Sequence, residues 1–480
     1  MSGSEPGAGP VVEPGPADGA EGGRAGGARA PAPPLPRDAV VFIPGISGAG
    51  SPVDQTTEGI AKRLAVALDR RARTGGARFH VEVRTEDFGN GLRTDACTVF
   101  RRAGPEKAAE PVLDVYGLDY HEALVGDFKG RSLAMRSLLL LGGILISSWR
   151  IVSAMVDPRR NGKTFRDKFQ FFYGGAIIAL MSAYLAVLAA ALLDVAFRAL
   201  GVATSGSAEA VTAVLTTATA ATASPPTGEG GTPWLAPLVA WLTRQPWLPV
   251  ALRAATTLVV VVSTAALFVP RRGRDTLEDL GRNYYCLSGY LDVGARRAVM
   301  IGRLEALLEH LAEKPVPPPR VHVVGYSFGS VLALDALLPQ GRAAGPRFGM
   351  VTSLVTIGCP FDLIRTFWPR HFTGRRLDAA PAFPRWINVY SSADVLGSNF
   401  RNDQADGAAT ESVTLDAQSA GKPPLPENVP YANRALGALE ILLFAGLRAH
   451  SIYWEEKFEA EDSCFHDVVA RLWEGDPVLS

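Results

Sequence analysis

The chain has 480 residues, with 48 Lys and Arg against 48 Asp and Glu, so its formal charge is zero. That balance gives no electrostatic case for nucleic acid or for a strongly anionic partner. Charged residues make up 20% and AVILMFWYC 47%, and the four cysteines (Cys97, Cys286, Cys359, Cys464) form no C-x-x-C pair; this excludes a disulfide scaffold and a zinc knuckle and fits a reducing compartment.

Gly, Pro and Ala supply 24 of the first 36 residues. Such a stretch buries too little surface to offset its chain entropy, so residues 1–37 are predicted to be a disordered tail. The tail lacks the apolar core of a secretory signal, and a cytoplasmic start is expected. Order is expected to begin at Asp38-Ala-Val-Val-Phe-Ile, a β-branched run stopped by Pro44-Gly45 and read as a buried strand entering a tight loop. Ile60 to Arg73 has helical periodicity, Arg78 to Val83 alternates like a strand, and Val112 to Tyr116 reads as another. Strands alternating with helices over residues 38–130 indicate an α/β layer architecture.

Residues 131–275 have a different character. Gln170 to Leu193 is 24 residues without a charge, and Ala254 to Pro270 is a second uncharged run that extends back toward Pro249. Each is long enough to be read as a membrane-spanning helix, giving spans at about 170–193 and 251–270. Arg159, Arg160, Lys163, Arg166 and Lys168 precede the first run, and Arg271, Arg272 and Arg274 follow the second. Under the positive-inside rule both flanks are cytoplasmic, and the pair is a two-helix transmembrane hairpin. Leu138 to Val156 is a third apolar stretch interrupted by Arg150. A mid-bilayer Arg costs about 2.5–3.5 kcal/mol, so this stretch is read as interfacial or protein-packed.

Residues 276–480 return to α/β character, beginning with an amphipathic helix over Val293 to Leu311. Then comes Val321-His-Val-Val-Gly325-Tyr-Ser327-Phe-Gly329-Ser-Val-Leu-Ala-Leu, an apolar strand, G-x-S-x-G and an apolar helix. A serine at that turn sits on a strained backbone with its hydroxyl exposed, and the glycines avoid clashes with the neighbouring helix and strand. In this context the motif marks Ser327 as a nucleophile.

The chain resembles the α/β-hydrolase superfamily in its lipase/esterase-like branch. The resemblance covers about residues 38–120 and 290–474 and implies an α/β-hydrolase fold interrupted by the transmembrane hairpin. It also implies that an acid and a histidine follow the serine, each after a late strand. Trp386-Ile-Asn-Val-Tyr-Ser-Ser-Ala-Asp394-Val resembles the segment that carries the family's acid. Asp394 is the candidate, with Asp362, after the strand Val351–Ile357, as runner-up. Two histidines follow Asp394. His450, in Ala449-His-Ser-Ile-Tyr-Trp454, is preferred to His466, which reads as the start of a C-terminal helix. The other five histidines are read as surface or core residues. The resemblance further implies an oxyanion hole from the backbone N–H of Phe328 and one amide of the loop after the early strand, with Ile46 the first candidate. The family usually has His-Gly where this chain has Pro44-Gly45.

These readings predict a multi-pass membrane protein with a cytoplasmic catalytic domain, a serine hydrolase cleaving ester-like acyl bonds of a lipid or amphiphile through an acyl-enzyme. The expected partners are the bilayer and a lipid or small ester substrate, with no nucleic acid and no metal or organic cofactor. Acyltransfer and thioester hydrolysis use the same constellation. The alternative from another class is a catalytically silent, membrane-tethered interaction protein that keeps the fold.

Overall fold

A computed structural model describes residues 37–46, 56–72, 78–89, 91–102, 106–130, 150, 285–292, 294–338, 346–372, 385–391, 394, 396–401, 407–411, 425–431, 450, 452–454 and 463–474. Both expected spans, and the expected tail apart from Arg37, lie outside these residues, as does the expected insertion apart from Arg150. Among the described residues no helix is long and apolar enough to cross a membrane.

The fold is α/β. Strands β1 (Asp38–Ile43), β2 (Arg78–Asp87), β3 (Arg93–Arg102), β4 (Glu110–Gly117), β5 (Val321–Tyr326), β6 (Val351–Ile357), β7 (Arg385–Tyr390) and β8 (Glu427–Pro430) form one sheet. Its order is β2-β3-β4-β1-β5-β6-β7-β8. The strands from β4 through β8 run parallel, and the β2–β3–β4 pairings are antiparallel.

Strand β1 explains the layering. All six of its residues are buried, so its sequence is apolar without alternation, as a strand covered on both faces requires. Ala39, Val41 and Ile43 point into one core with helix α3 (Gly294–Ala312) and helix α4 (Phe328–Leu337). Val40 and Phe42 point into the other, with helix α1 (Thr57–Arg71) and helix α7 (Cys464–Leu472). In α3 the buried residues Met300, Ile301, Leu304, Leu307, Leu308 and Leu311 recur at helical spacing, which is the amphipathic face legible in the sequence. Helix α1 is capped by Thr56, whose side chain accepts from the Gly59 N–H at 3.1 Å, and carries Glu58 in its first turn, where the helix dipole favours an anion. Helix α2 (His121–Lys129) follows β4, while the short helices α5 (Phe361–Phe367) and α6 (Pro369–Phe372) follow β6.

Strands β3 and β8 lie beyond those read from the sequence. Strand β3 has buried Thr94 and Thr98 among its apolar residues. Their hydroxyls are satisfied by the Gly117 carbonyl at 2.5 Å and the Asp114 carboxylate at 2.7 Å, both on neighbouring β4. Strand β8 is only four residues and ends in Pro430.

From β1 the chain goes out to the β2 edge and works back through β3 to β4 on one side, and from β5 it moves to β6 on the other. The carboxyl ends of β1 and β5 therefore lie where the strand order reverses, the place where open α/β sheets bind ligands.

Candidate active site

Ser327 stands at that point, between the end of β5 and the start of α4. Its φ is 51° and ψ −121°, a conformation that costs a side-chain-bearing residue about 1–3 kcal/mol. The turn is held by the Ser327 N–H donating to the Ile357 carbonyl at 2.8 Å and the Ser330 hydroxyl donating to the Gly325 carbonyl at 2.7 Å. Both motif glycines are sterically required. A Cβ on Gly325 would lie 2.6 Å from the Ser330 Cα, and one on Gly329 only 2.1 Å from the Ile43 carbonyl oxygen. Gly329 therefore lets the start of α4 close onto the end of β1.

Two further segments complete the set with the serine. His450 brings Nε2 to 2.6 Å from Ser327 Oγ and Nδ1 to 2.9 Å from Asp394 Oδ2. Asp394 follows β7 and is fully buried. An ionised carboxylate only accepts hydrogen bonds, so Nδ1 carries the proton and Nε2 is left to accept from the serine hydroxyl. The arrangement can draw the Ser327 proton onto the imidazole as Oγ attacks an electrophile, and the acid stabilises the charge that results.

Asp394 is satisfied by more than the imidazole. Its Oδ1 accepts the Leu396 N–H at 2.9 Å, and its Oδ2 also accepts the Tyr453 hydroxyl at 2.9 Å. Burial, followed by the Asp394 charge, pushes the Tyr453 phenol well above the ordinary tyrosine range, so it stays a donor. Tyr326, the residue before the nucleophile, stacks on His450 with ring centroids 5.3 Å apart and donates its hydroxyl to the His450 carbonyl. Burial, and then the same carboxylate, raises its pKa as well. Gly358 (φ +57°) and Gly397 leave the room. A Cβ on Gly397 would lie 2.6 Å from Asp394 Oδ2, and one on Gly358 2.9 Å from the Tyr453 ring.

The runner-up acid faces elsewhere. Asp362 accepts the Ser398 hydroxyl at 2.5 Å and pairs with Arg365 at 3.0 Å. Ser398 belongs to the loop carrying Asp394, and that loop is fixed at further points. The Ser398 N–H donates to the Cys359 carbonyl at 2.8 Å, and the Asn388 side chain donates to the Ser398 carbonyl at 2.9 Å. Asp362 thus anchors the acid's loop. His466 lies in the first turn of α7. Of the other histidines, His322 and His371 are core residues, with Nδ1 of His322 2.7 Å from Ser353 Oγ and Nε2 of His371 3.1 Å from Asp335.

The segments of the two expected oxyanion residues both border Ser327. The Phe328 N–H belongs to the first turn of α4 and has no carbonyl partner within the helix. The loop Pro44-Gly45-Ile46 packs directly on the nucleophile, since a Cβ on Gly45 would lie 3.1 Å from the Ser327 Cβ. Tyr120 touches both halves. Its hydroxyl donates to the Pro44 carbonyl at 2.8 Å and its ring lies 5.8 Å from that of Phe328. Tyr453, Tyr326, Tyr120, Gly358 and Gly397 had no functional reading in the sequence. The one local signal was Tyr453 lying three residues after His450, one helical turn on.

No family model, no curated protein and no solved structure matches this chain.

Proposed function

We propose that the protein is a membrane-anchored serine hydrolase of the α/β-hydrolase kind, acting on an ester-like acyl bond. The observation that carries this reading is the hydrogen-bonded series Ser327 Oγ–His450 Nε2, at 2.6 Å, and His450 Nδ1–Asp394 Oδ2, at 2.9 Å, at the sheet's switch point. In the proposed reaction Oγ attacks the carbonyl carbon and its proton passes to Nε2. The amides of Phe328 and Ile46 receive the developing oxyanion. As the tetrahedral adduct collapses, Nε2 gives its proton to the leaving alcohol and the acyl group stays on Ser327. Water then attacks the acyl-enzyme with its proton passing to Nε2, and a second collapse frees the carboxylic acid and restores the serine. Intact protein is expected to take up a fluorophosphonate probe as one adduct, mapped by mass spectrometry to Ser327 and lost in Ser327→Ala. Failure of the intact protein to label would sink the hydrolase reading in favour of a silent, membrane-tethered interaction protein.

The substrate we propose is a lipid or other amphiphile. The described segments on either side of the apolar insertion both pack on the residue after the nucleophile. Tyr120, just before α2, packs on Phe328, and Tyr290, in the helical residues 285–292, lies edge-on to it with centroids 4.8 Å apart. The nearest described residues on either side of the insertion thus pack on the residue proposed to supply an oxyanion amide. Arg150 pairs with Asp292 and lies 4.8 Å over the Trp368 ring, which supports reading its apolar stretch as protein-packed rather than as a span. Because β1 and β5 are neighbours in one sheet, the chain between them crosses a bilayer an even number of times. The two spans at 170–193 and 251–270 meet that condition, with the catalytic domain cytoplasmic. Replacing Arg159–Arg274 by a short linker should spare hydrolysis of a short soluble ester and reduce that of a phospholipid. Equal retention of both would make the hairpin a tether only.

A further inference from the structure

We propose that Tyr453 is a positioning residue of this site, whose hydroxyl shares Asp394 Oδ2 with the imidazole and so sets the aim of the acid and its hold on the imidazole proton. The inference rests on the serine-hydrolase reading.

The hydroxyl of Tyr453 is committed on both sides. It donates to Asp394 Oδ2 at 2.9 Å and accepts the Ser391 N–H at 2.9 Å. The Asp394 N–H donates in turn to the Ser391 carbonyl at 3.1 Å. Acid, phenol and the residue following β7 thus close a ring that ties the carboxylate by backbone and side chain. The phenol is buried, and the two glycines around it keep side chains out of the ring's space, Gly397 beside the hydroxyl and Gly358 beside the aromatic face. An arrangement serving packing alone would not need a hydroxyl on the oxygen that faces the imidazole.

The chemistry follows from that shared oxygen. A donor on Oδ2 draws charge away from the side facing Nδ1 and weakens the acid's grip on the imidazole proton. It also stops the carboxylate rotating about its Cβ–Cγ bond. Among the described residues, the groups facing the imidazole are Ser327 from the turn after β5, Tyr326 from β5, Asp394 from the loop after β7, and Tyr453 from the histidine's own segment. Of these, Tyr453 is the one that donates to the acid. Tyr326 donates to a neutral carbonyl instead.

The test is the rate of fluorophosphonate labelling as a function of pH, measured on the full-length protein in detergent. Tyr453→Phe is expected to lower the plateau rate about tenfold, the scale of one hydrogen bond to a charged group. The profile midpoint should move up by about half a pH unit, because the acid then holds the imidazole proton more tightly. Tyr326→Phe should leave the midpoint in place. In an Asp394→Asn background, Tyr453→Phe should cost less than about twofold, since the residue it acts through is already altered. Incorporating 3-fluorotyrosine at 453, a stronger donor of nearly the same shape, should move the midpoint down, and it serves equally if the Phe variant does not fold. An unmoved midpoint in these variants, or the same loss in both backgrounds, overturns the inference while leaving the hydrolase reading intact. A wild-type protein that does not label overturns both.

Discussion

Replacing Asp394 by Asn changes one buried atom from acceptor to donor, and the surroundings determine the outcome. The carboxylate accepts three hydrogen bonds, from Leu396 N–H, His450 Nδ1 and the Tyr453 hydroxyl. An amide has two ways to sit. With its oxygen toward His450 and Tyr453, its NH2 faces the Leu396 N–H, donor against donor, and burial without a partner costs about 1–3 kcal/mol. With its NH2 toward His450, Nδ1 must become an acceptor, the proton moves to Nε2, and the base points an N–H at Ser327. The first arrangement loses stability and the second loses the base. Catalytic loss should be on the order of 10⁴-fold, the scale set by the wrong tautomer in serine-protease triads. Asp362→Asn should cost much less, because among the described residues Asp362 reaches the site through the Ser398 clamp. The assay is the acylation burst with a p-nitrophenyl ester, alongside thermal melts to confirm folding. Asp362→Asn proving more damaging than Asp394→Asn would refute the reasoning and move the acid to the end of β6.

Ser327→Gly should abolish labelling yet stabilise the fold by about 1 kcal/mol in urea melts, since glycine relieves a positive φ at some cost in unfolded-chain entropy. Tyr120→Phe frees the Pro44 carbonyl while keeping the ring, and should lower kcat about tenfold with KM little changed, as loss of aim at a transition-state oxyanion requires. Burial pushes the Glu86 carboxyl up, but hydrogen bonds from Lys314 and Arg84 outweigh it and hold the pKa at about 2, below the ordinary 4.5. Its contribution is therefore complete above pH 4.5 and lost as pH falls toward 2, so Glu86→Gln should destabilise by on the order of 2 kcal/mol at pH 6 and progressively less in acid melts. In intact cells, a membrane-impermeant thiol reagent should label Ser207→Cys and not Ser480→Cys in a cysteine-free background; labelling at both would break the even count of spans.

The sequence by itself determined the parts whose physics is local. The β-branched apolar run from Ala39 to Ile43, stopped by Pro44-Gly45, reads as a strand covered on both faces, and the 3.6-residue spacing from Ile301 to Leu311 buries one side of a helix. Glycines at 325 and 329 around a serine between such a strand and helix mark a tight turn for the same reason, and backbone contact at both glycines bears this out. Strand β3 was hidden because its buried threonines look polar until their partners on β4 are known. Strand β8 was too short to show any period. Which carboxylate meets His450 was decided only in three dimensions. Asp362 and Asp394 each follow a strand of the same sheet, and one turns to Ser398 and Arg365 while the other turns to the imidazole. The same holds for Tyr453, and for Tyr120, 207 residues before Ser327 in the chain yet packed on both proposed oxyanion segments. Periodicity is carried by neighbours along the chain, but a hydrogen bond between distant residues depends on strand order and register, and these are fixed only when the whole sheet has assembled.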